Sequence, residues 1–191
     1  MKRQWKKAGD EVRPIGARAL KSAIDSIRPY LPESRVLDIF AGQGRFGIEA
    51  LHEGAASVTF VEKSNFVARE LETILTKTPH KNFDLTVDDA FSFLRRTERA
   101  NKNFDIVFAD TPFEWWTANF SETLMESVIR VLAPSGIFLV KHPKRVIPFL
   151  PSDGENAVKK TNALQLWKRS PFGESTLLYL RLEQRDPSQP E

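Results

Sequence analysis

Residues 37–51 run Leu-Asp-Ile-Phe-Ala-Gly-Gln-Gly-Arg-Phe-Gly-Ile-Glu-Ala-Leu, an apolar strand that meets a glycine turn and then a helical segment. Gly42 and Gly44 let the backbone turn tightly and approach a ligand that a β-carbon would hold off. Asp38 separates the possible ligands. A turn built for a pyrophosphate aims bare N–H groups at an anion, and a fixed carboxylate beside it would repel that anion. A sulfonium cofactor with a free ammonium group is attracted instead, so these residues favour S-adenosylmethionine. The spacing of Gly42, Gly44 and Gly47 also satisfies the dinucleotide pattern G-x-G-x-x-G, a weak signal when alone.

Three further strand ends carry acids. Glu62 follows Gly42 by 20 positions, the separation expected of an acid that takes both hydroxyls of a ribose. Asp88 and Asp89 end the next strand, where a carboxylate can accept from an adenine amine. Asp110 ends the fourth, in the loop Asp110-Thr111-Pro112-Phe113. A lone acid at a strand end is usually a helix cap or a solvated loop residue; four in successive register point to a cofactor cleft. The Asp110 loop suits an exocyclic amine, whose lone pair is delocalised into its base. If Asp110 and the Thr111 carbonyl accept the two N–H hydrogens, the nitrogen is drawn toward a tetrahedral shape that can attack a methyl group in line. Phe113 can stack on the base. No strong base is needed, because the proton becomes acidic once the nitrogen is methylated.

The elements that must position these residues alternate along the chain. Ala17, Leu20, Ile24, Ile27 and Leu31 recur at helical spacing after Arg13-Pro14, and Pro32 ends the run. Strands are expected at Val36–Phe40, Ser57–Glu62, Phe83–Val87, Phe104–Ala109 and Ile137–Lys141. Helices are expected at Arg45–Glu53, Asn65–Thr76 and Ala90–Arg96, and a fourth through Leu124, Val128, Val131 and Leu132 up to Pro134-Ser135-Gly136. Ala157–Lys168 and Ser175–Glu183 then read as strands joined by Ser170-Pro171-Phe172-Gly173. The fold expected is α/β and Rossmann-like: a seven-stranded, mostly parallel sheet with a C-terminal antiparallel hairpin and helices on both faces.

The 191 residues suffice for one well-filled core. Residues 1–12 are expected to be a basic arm, 13–184 the catalytic domain and 185–191 a disordered tail. The 28 Lys and Arg against 25 Asp and Glu leave a net charge of only +3, so affinity for a polyanion depends on where the cations sit. Lys2, Arg3, Lys6, Lys7 and Arg13 concentrate at the front. The absence of cysteine removes disulfides and thiolate metal sites. His52, His80 and His142 are too scattered for a zinc site, and no apolar run is long enough to span a membrane. A cytoplasmic, metal-free monomer is expected.

The ordered set of motifs resembles the RsmD-type family of bacterial ribosomal RNA methyltransferases. It comprises Arg13-Pro14, Leu37 to Leu51, Gly54-Ala55-Ala56-Ser57 leading to Val61-Glu62-Lys63, Asp89-Ala90, the Asp110 loop, Lys168-Arg169 and Gly173-Glu174-Ser175-Thr176. The resemblance implies methylation of a guanine N2 amine in small-subunit ribosomal RNA with S-adenosylmethionine. Asp38, Phe40, Gly42, Gly44, Glu62, Lys63, Asp89 and Ala90 would then line the cofactor, with Glu62 on ribose and Asp89 on adenine. Asp110, Thr111, Pro112 and Phe113 would receive the base. Two departures stand out. Thr111 replaces the first proline of the usual Asp-Pro-Pro-aromatic loop, which frees φ and restores an N–H donor. The segment before Arg13 is short, which leaves the usual first hairpin of the family in question.

Trp115 and Trp116 beside the loop offer a stacking platform, one of them expected to pack beneath it. Lys141, Lys144, Arg145, Lys168 and Arg169 extend a phosphate-contacting surface in this reading. Three alternatives stay open: a methyltransferase on another nucleic-acid amine, a module that binds S-adenosylmethionine and RNA without turnover, and a nicotinamide-dependent oxidoreductase suggested by glycine spacing alone.

Overall fold

The computed structural model describes residues 15–146 and 164–182. The expected arm with Lys2, Arg3, Lys6, Lys7 and Arg13, the start of the sixth expected strand at 157–163, and the tail at 185–191 lie outside the described residues. Helix α1 (Ala17–Ile27) buries Ala19, Ala23, Ile24 and Ile27 at helical spacing, and a 3-10 turn at Arg28–Tyr30, with Pro29 in it, closes it. Strand β1 (Arg35–Ile39), α2 (Arg45–His52), β2 (Ser57–Glu62), α3 (Asn65–Leu75), β3 (Phe83–Val87), α4 (Ala90–Arg99) and β4 (Phe104–Asp110) follow in alternation. A 3-10 turn at Phe113–Trp115, α5 (Ala118–Ile129), β5 (Leu132–Pro143), β6 (Leu164–Phe172) and β7 (Ser175–Leu182) complete the order.

The seven strands lie in the order β3-β2-β1-β4-β5-β7-β6. Strands β1 to β5 pair in parallel, and β7 is inserted antiparallel between β5 and β6. The order runs outward in both directions from the β1/β4 boundary, which opens a crevice beyond the carboxyl ends of those two strands. Helices α1, α2 and α3 cover one face around Phe46, Phe60, Phe108 and Tyr179, and α4 and α5 cover the other around Leu94, Leu124 and Phe138. The central strands read as near-continuous apolar runs because both faces are covered. Fully burying a side chain such as Leu71 contributes about 1.5–3 kcal/mol, so packing of the apolar faces, rather than helix propensity, fixes these helices.

Several boundaries differ from the sequence expectation: α1 ends at Ile27 rather than running on to Pro32, and α4 continues past Arg96 to Arg99. Helix α5 stops at Ile129, and Val131 is a turn residue that leads into the sheet: its carbonyl accepts the Phe104 N–H at 2.9 Å, and Leu132 begins β5 by pairing with Phe104. The Pro134-Ser135-Gly136 segment is an irregularity inside β5, where the register with β4 shifts and Ser135 takes φ 63°. Residues 170–172 were expected in the hairpin turn but extend β6 to Phe172, with the turn at Gly173-Glu174. Pro171 is tolerated there because β6 is the sheet edge.

Candidate functional site

The cofactor loop is locked from both sides. Phe40 leaves the strand with φ 62°, and Gly42 and Gly44 follow at 54° and 66°. A β-carbon on Gly44 would also lie 2.5 Å from Leu71 Cδ1, so conformation and space both require glycine. Glu62 is the strut across the turn. Its Oε2 accepts the Gly42 N–H at 2.9 Å and its Oε1 accepts the Ser64 N–H at 2.8 Å.

Asp38 is buried, with 2% of its surface exposed, and its Oδ2 accepts the N–H of Gly47 at 3.0 Å. Burial pushes its carboxyl well above the ordinary range; the Gly47 bond opposes this, and the charges of Asp110 and Glu62 reinforce it. The N–H at the third position of α2, which a pyrophosphate would seek, is therefore already taken by the protein's own carboxylate. Three acids converge where β1, β2 and β4 end, a field suited to a cation.

At the end of β3, Asp89 caps α4 by accepting the Ser92 N–H at 3.1 Å, and its other oxygen lies 3.4 Å from Lys63 Nζ. Its position serves the structural role as well as the functional one expected of it. Ala90 is buried behind it, and Asp88 pairs with Arg96, which holds its carboxyl below the ordinary range. Phe40 packs edge-on to Phe91 at 6.4 Å and to Trp115 at 5.8 Å, so an aromatic cluster ties the cofactor loop to α4 and to the Asp110 loop. Phe91 was not singled out from sequence; its place directly after Asp89-Ala90 was the available signal.

Lys141 proves to be the partner of Asp110. Parallel register sets Asp110 beside Lys141, and their charged groups meet at 2.6 Å with 12% and 14% of the side chains exposed. The expectation that Lys141 belongs to a phosphate-contacting surface is corrected: it is a largely buried counter-ion, and its ammonium also lies 5.3 Å from the Phe113 ring centroid. Burial pushes the Asp110 carboxyl up, and the Lys141 charge and hydrogen bond pull it back. Thr111 is buried with its hydroxyl unpartnered among the described residues. Pro112 is extended, and Phe113 turns outward, 39% exposed.

The adjacent indoles separate. Trp115 keeps an exposed face, whereas Trp116 is buried against Phe120 and His142, with ring centroids 5.6 and 5.5 Å away. Trp116 is therefore corrected from a stacking residue to a packing residue. Lys168 and Arg169 also part company, because neighbours on a strand point to opposite faces. Lys168 pairs in register with Tyr179 on the α1 face, and Arg169 with Leu178 on the α5 face. They do not form one surface. Arg145 lies 4.0 Å from Glu174 in an exposed pair. Among the described residues no group of three acidic or histidine side chains is placed to hold a metal, and no helix is long and apolar enough to cross a membrane.

A family model described as "Conserved hypothetical protein 95" matches residues 2–181. The chain belongs to this RsmD-type family. Among relatives of the RsmD-type chain, ribosomal RNA small subunit methyltransferase D of Escherichia coli is 27% identical over 174 residues, which cover 86% of this chain and 83% of that one. The protein of the same name from Haemophilus influenzae is 33% identical over 116 residues, 60% of each chain. A solved structure, the putative methyltransferase yhhF from Escherichia coli, superposes with a TM-score of 0.74 at 22% identity over 92% of this chain and 90% of that one. The RsmD-type fold is thus the Rossmann-like class I methyltransferase fold, with its C-terminal antiparallel hairpin in place.

Proposed function

We propose that the chain is an S-adenosylmethionine-dependent methyltransferase that transfers a methyl group to the exocyclic N2 amine of a guanine in small-subunit ribosomal RNA. The observation that carries this reading is the crevice itself: a glycine loop braced by Glu62, with Asp38, Glu62 and Asp110 converging on it. The residues fit the cofactor. The bare amide that a dinucleotide needs is spent on Asp38, while a sulfonium and an ammonium would relieve the repulsion among the three acids. In this reading Gly42 and Gly44 admit the cofactor backbone, Asp38 faces its positive end, Glu62 takes ribose through its remaining lone pairs, and Asp89 with Ala90 and Phe91 borders the adenine. Lys63 stays as the tether of Asp89. When bound, S-adenosylmethionine supplies an electrophilic methyl group.

The chain's own residues prepare the nucleophile. Lys141 occupies one oxygen of Asp110 and opposes the rise in its pKa that burial causes, leaving the other oxygen to accept an amine N–H. With the Thr111 carbonyl as second acceptor, the amine's lone pair is turned out of conjugation with the ring. Phe113 presents an exposed face for stacking, and Trp115 borders the same opening. The names of the relatives support ribosomal RNA as substrate; the N2 position rests on the resemblance and on this acceptor arrangement.

Two outcomes follow here. Activity requires ionised Asp110, so kcat is lost as pH falls through its raised pKa; Lys141→Met removes the opposing charge, raises that pKa further and moves the acid limb of the kcat profile to higher pH. An unmoved limb would deny Asp110 this role. Asp38→Asn keeps an acceptor for Gly47 but removes the buried charge. Because the folded-state pKa of Asp38 lies above the ordinary value of 3.8, its carboxylate penalises folding increasingly as pH rises through that folded value. The variant is therefore expected to melt higher than the parent at about pH 8, with the gain shrinking toward about pH 4. It should bind S-adenosylmethionine about 10-fold more weakly, the loss of one charge-assisted contact. Calorimetric titration with S-adenosylhomocysteine and with a nicotinamide dinucleotide checks the cofactor: binding of the dinucleotide alone would overturn this reading.

A further inference from the structure

Away from the crevice, α1 and the edge strand β6 enclose an open cleft of about 380 Å³ lined by Arg18, Lys21, Ser22, Asp25, Ser26 and Lys168. Its floor is built. The buried Tyr179 hydroxyl donates to the Ser22 carbonyl at 3.1 Å and lies 3.4 Å from the hydroxyls of both Ser22 and Ser26. Lys168 donates to Ser26 Oγ at 2.7 Å, with its ammonium 5.2 Å from the Tyr179 ring centroid.

The charges divide unequally. Asp25 is consumed by Lys21 at 2.5 Å and Arg28 at 3.0 Å. Arg18 and Lys168 have no carboxylate partner among the described residues. The Ser26 hydroxyl is itself spent on the Ser22 carbonyl at 2.7 Å, so the two cations without a carboxylate partner, Arg18 and Lys168, are the donors that this concave, solvent-open floor offers to a phosphate.

The cleft also points at the site. The carbonyl of Ile15, just before α1, accepts from Arg45, the first residue of α2 after the glycine loop. Arg18, in the first turn of α1, therefore lies at the end of the cleft nearer the glycine loop. From there to Ser26 the helix runs about 12 Å, and β6 flanks it while running parallel to β5. An elongate track whose near end lies toward the glycine loop suits a chain better than a lone anion. Its lining contains no large apolar side chain, which disfavours a peptide.

We infer that the α1/β6 cleft binds the sugar-phosphate backbone of the RNA as it leaves the catalytic crevice, with Arg18 and Lys168 as its phosphate contacts. This rests on the proposed methyltransferase reading. The test is binding of a small-subunit ribosomal RNA transcript across a salt series, comparing the full chain with Arg18→Gln, Lys168→Gln and the double variant. Each lost contact is expected to flatten the slope of log affinity against log salt by about 0.7 and to raise KM for RNA. Wild-type affinity and slope in the double variant would overturn the inference, as would intact RNA binding together with lost binding of polyglutamate, which would indicate an acidic protein partner.

The two readings fail separately. If the parent transfers methyl groups and the slope is unaltered in the variants, the cleft assignment alone falls. If the parent transfers none and does not bind S-adenosylhomocysteine, yet the slope flattens, the cleft stands and the enzymatic reading falls.

Discussion

Replacing Asp110 with alanine is expected to lower methyl transfer by about 100-fold or more, the scale on which loss of reactant positioning acts. The carboxylate is the charged acceptor of the Asp110–Phe113 loop. The substitution also strands Lys141, whose side chain is only 14% exposed. An unpaired ammonium in such a place destabilises by about 1–3 kcal/mol, less what its long stem recovers by reaching toward water. Fold and function must therefore be separated. The double variant Asp110→Ala with Lys141→Met removes the stranded charge, so it should regain thermal stability over the single variant and remain inactive. Recovery of activity in the double variant would show that Asp110 matters only as a partner for Lys141.

Gly47→Ala should be the most damaging small change in the cofactor loop. An added β-carbon would lie 2.3 Å from Phe60 Cε1, 2.7 Å from Phe60 Cζ and 2.8 Å from Val58 Cγ1. These are side chains of β2 with no exposed surface, so neither can swing away into solvent. Overpacking of this kind costs about 1–3 kcal/mol, which outweighs the gain in helix propensity of about 1 kcal/mol. The melting temperature should drop by roughly 2–4 °C for each kcal/mol lost. A second effect is specific to the site: moving the start of α2 off β2 draws the Gly47 N–H away from Asp38, so affinity for S-adenosylhomocysteine should fall as well. Melting curves recorded with and without that ligand distinguish the two effects; a variant as stable as the parent would show that α2 is free to shift.

Much of this was legible in the chain because the signals are local. The glycine turn, the acid at each strand end and the alternation of apolar periods depend on residues near one another in sequence. Features that depend on register were not legible. Lys141 is 31 positions from Asp110, and only the parallel pairing of β4 with β5 brings them side by side. The same pairing decides that Leu132, which fits a helical period, enters the sheet instead, with the Val131 carbonyl bonded to Phe104. Asp38 was expected to face a ligand; its bond to Gly47 depends on how closely α2 lies on β2, which the absence of a side chain at position 47 permits. Trp115 and Trp116 look equivalent in sequence, and the 3-10 turn between Pro112 and Thr117 decides which one is buried.

The most direct measurement is transfer of labelled methyl from S-adenosylmethionine into small-subunit RNA, both naked and as particles lacking the modification, followed by digestion to nucleosides. Asp110→Ala with Lys141→Met serves as the folded control. Label confined to N2-methylguanosine, and absent with the control, is the predicted result. Label in another nucleoside, or none from a protein that still binds S-adenosylhomocysteine, would contradict the proposed reaction.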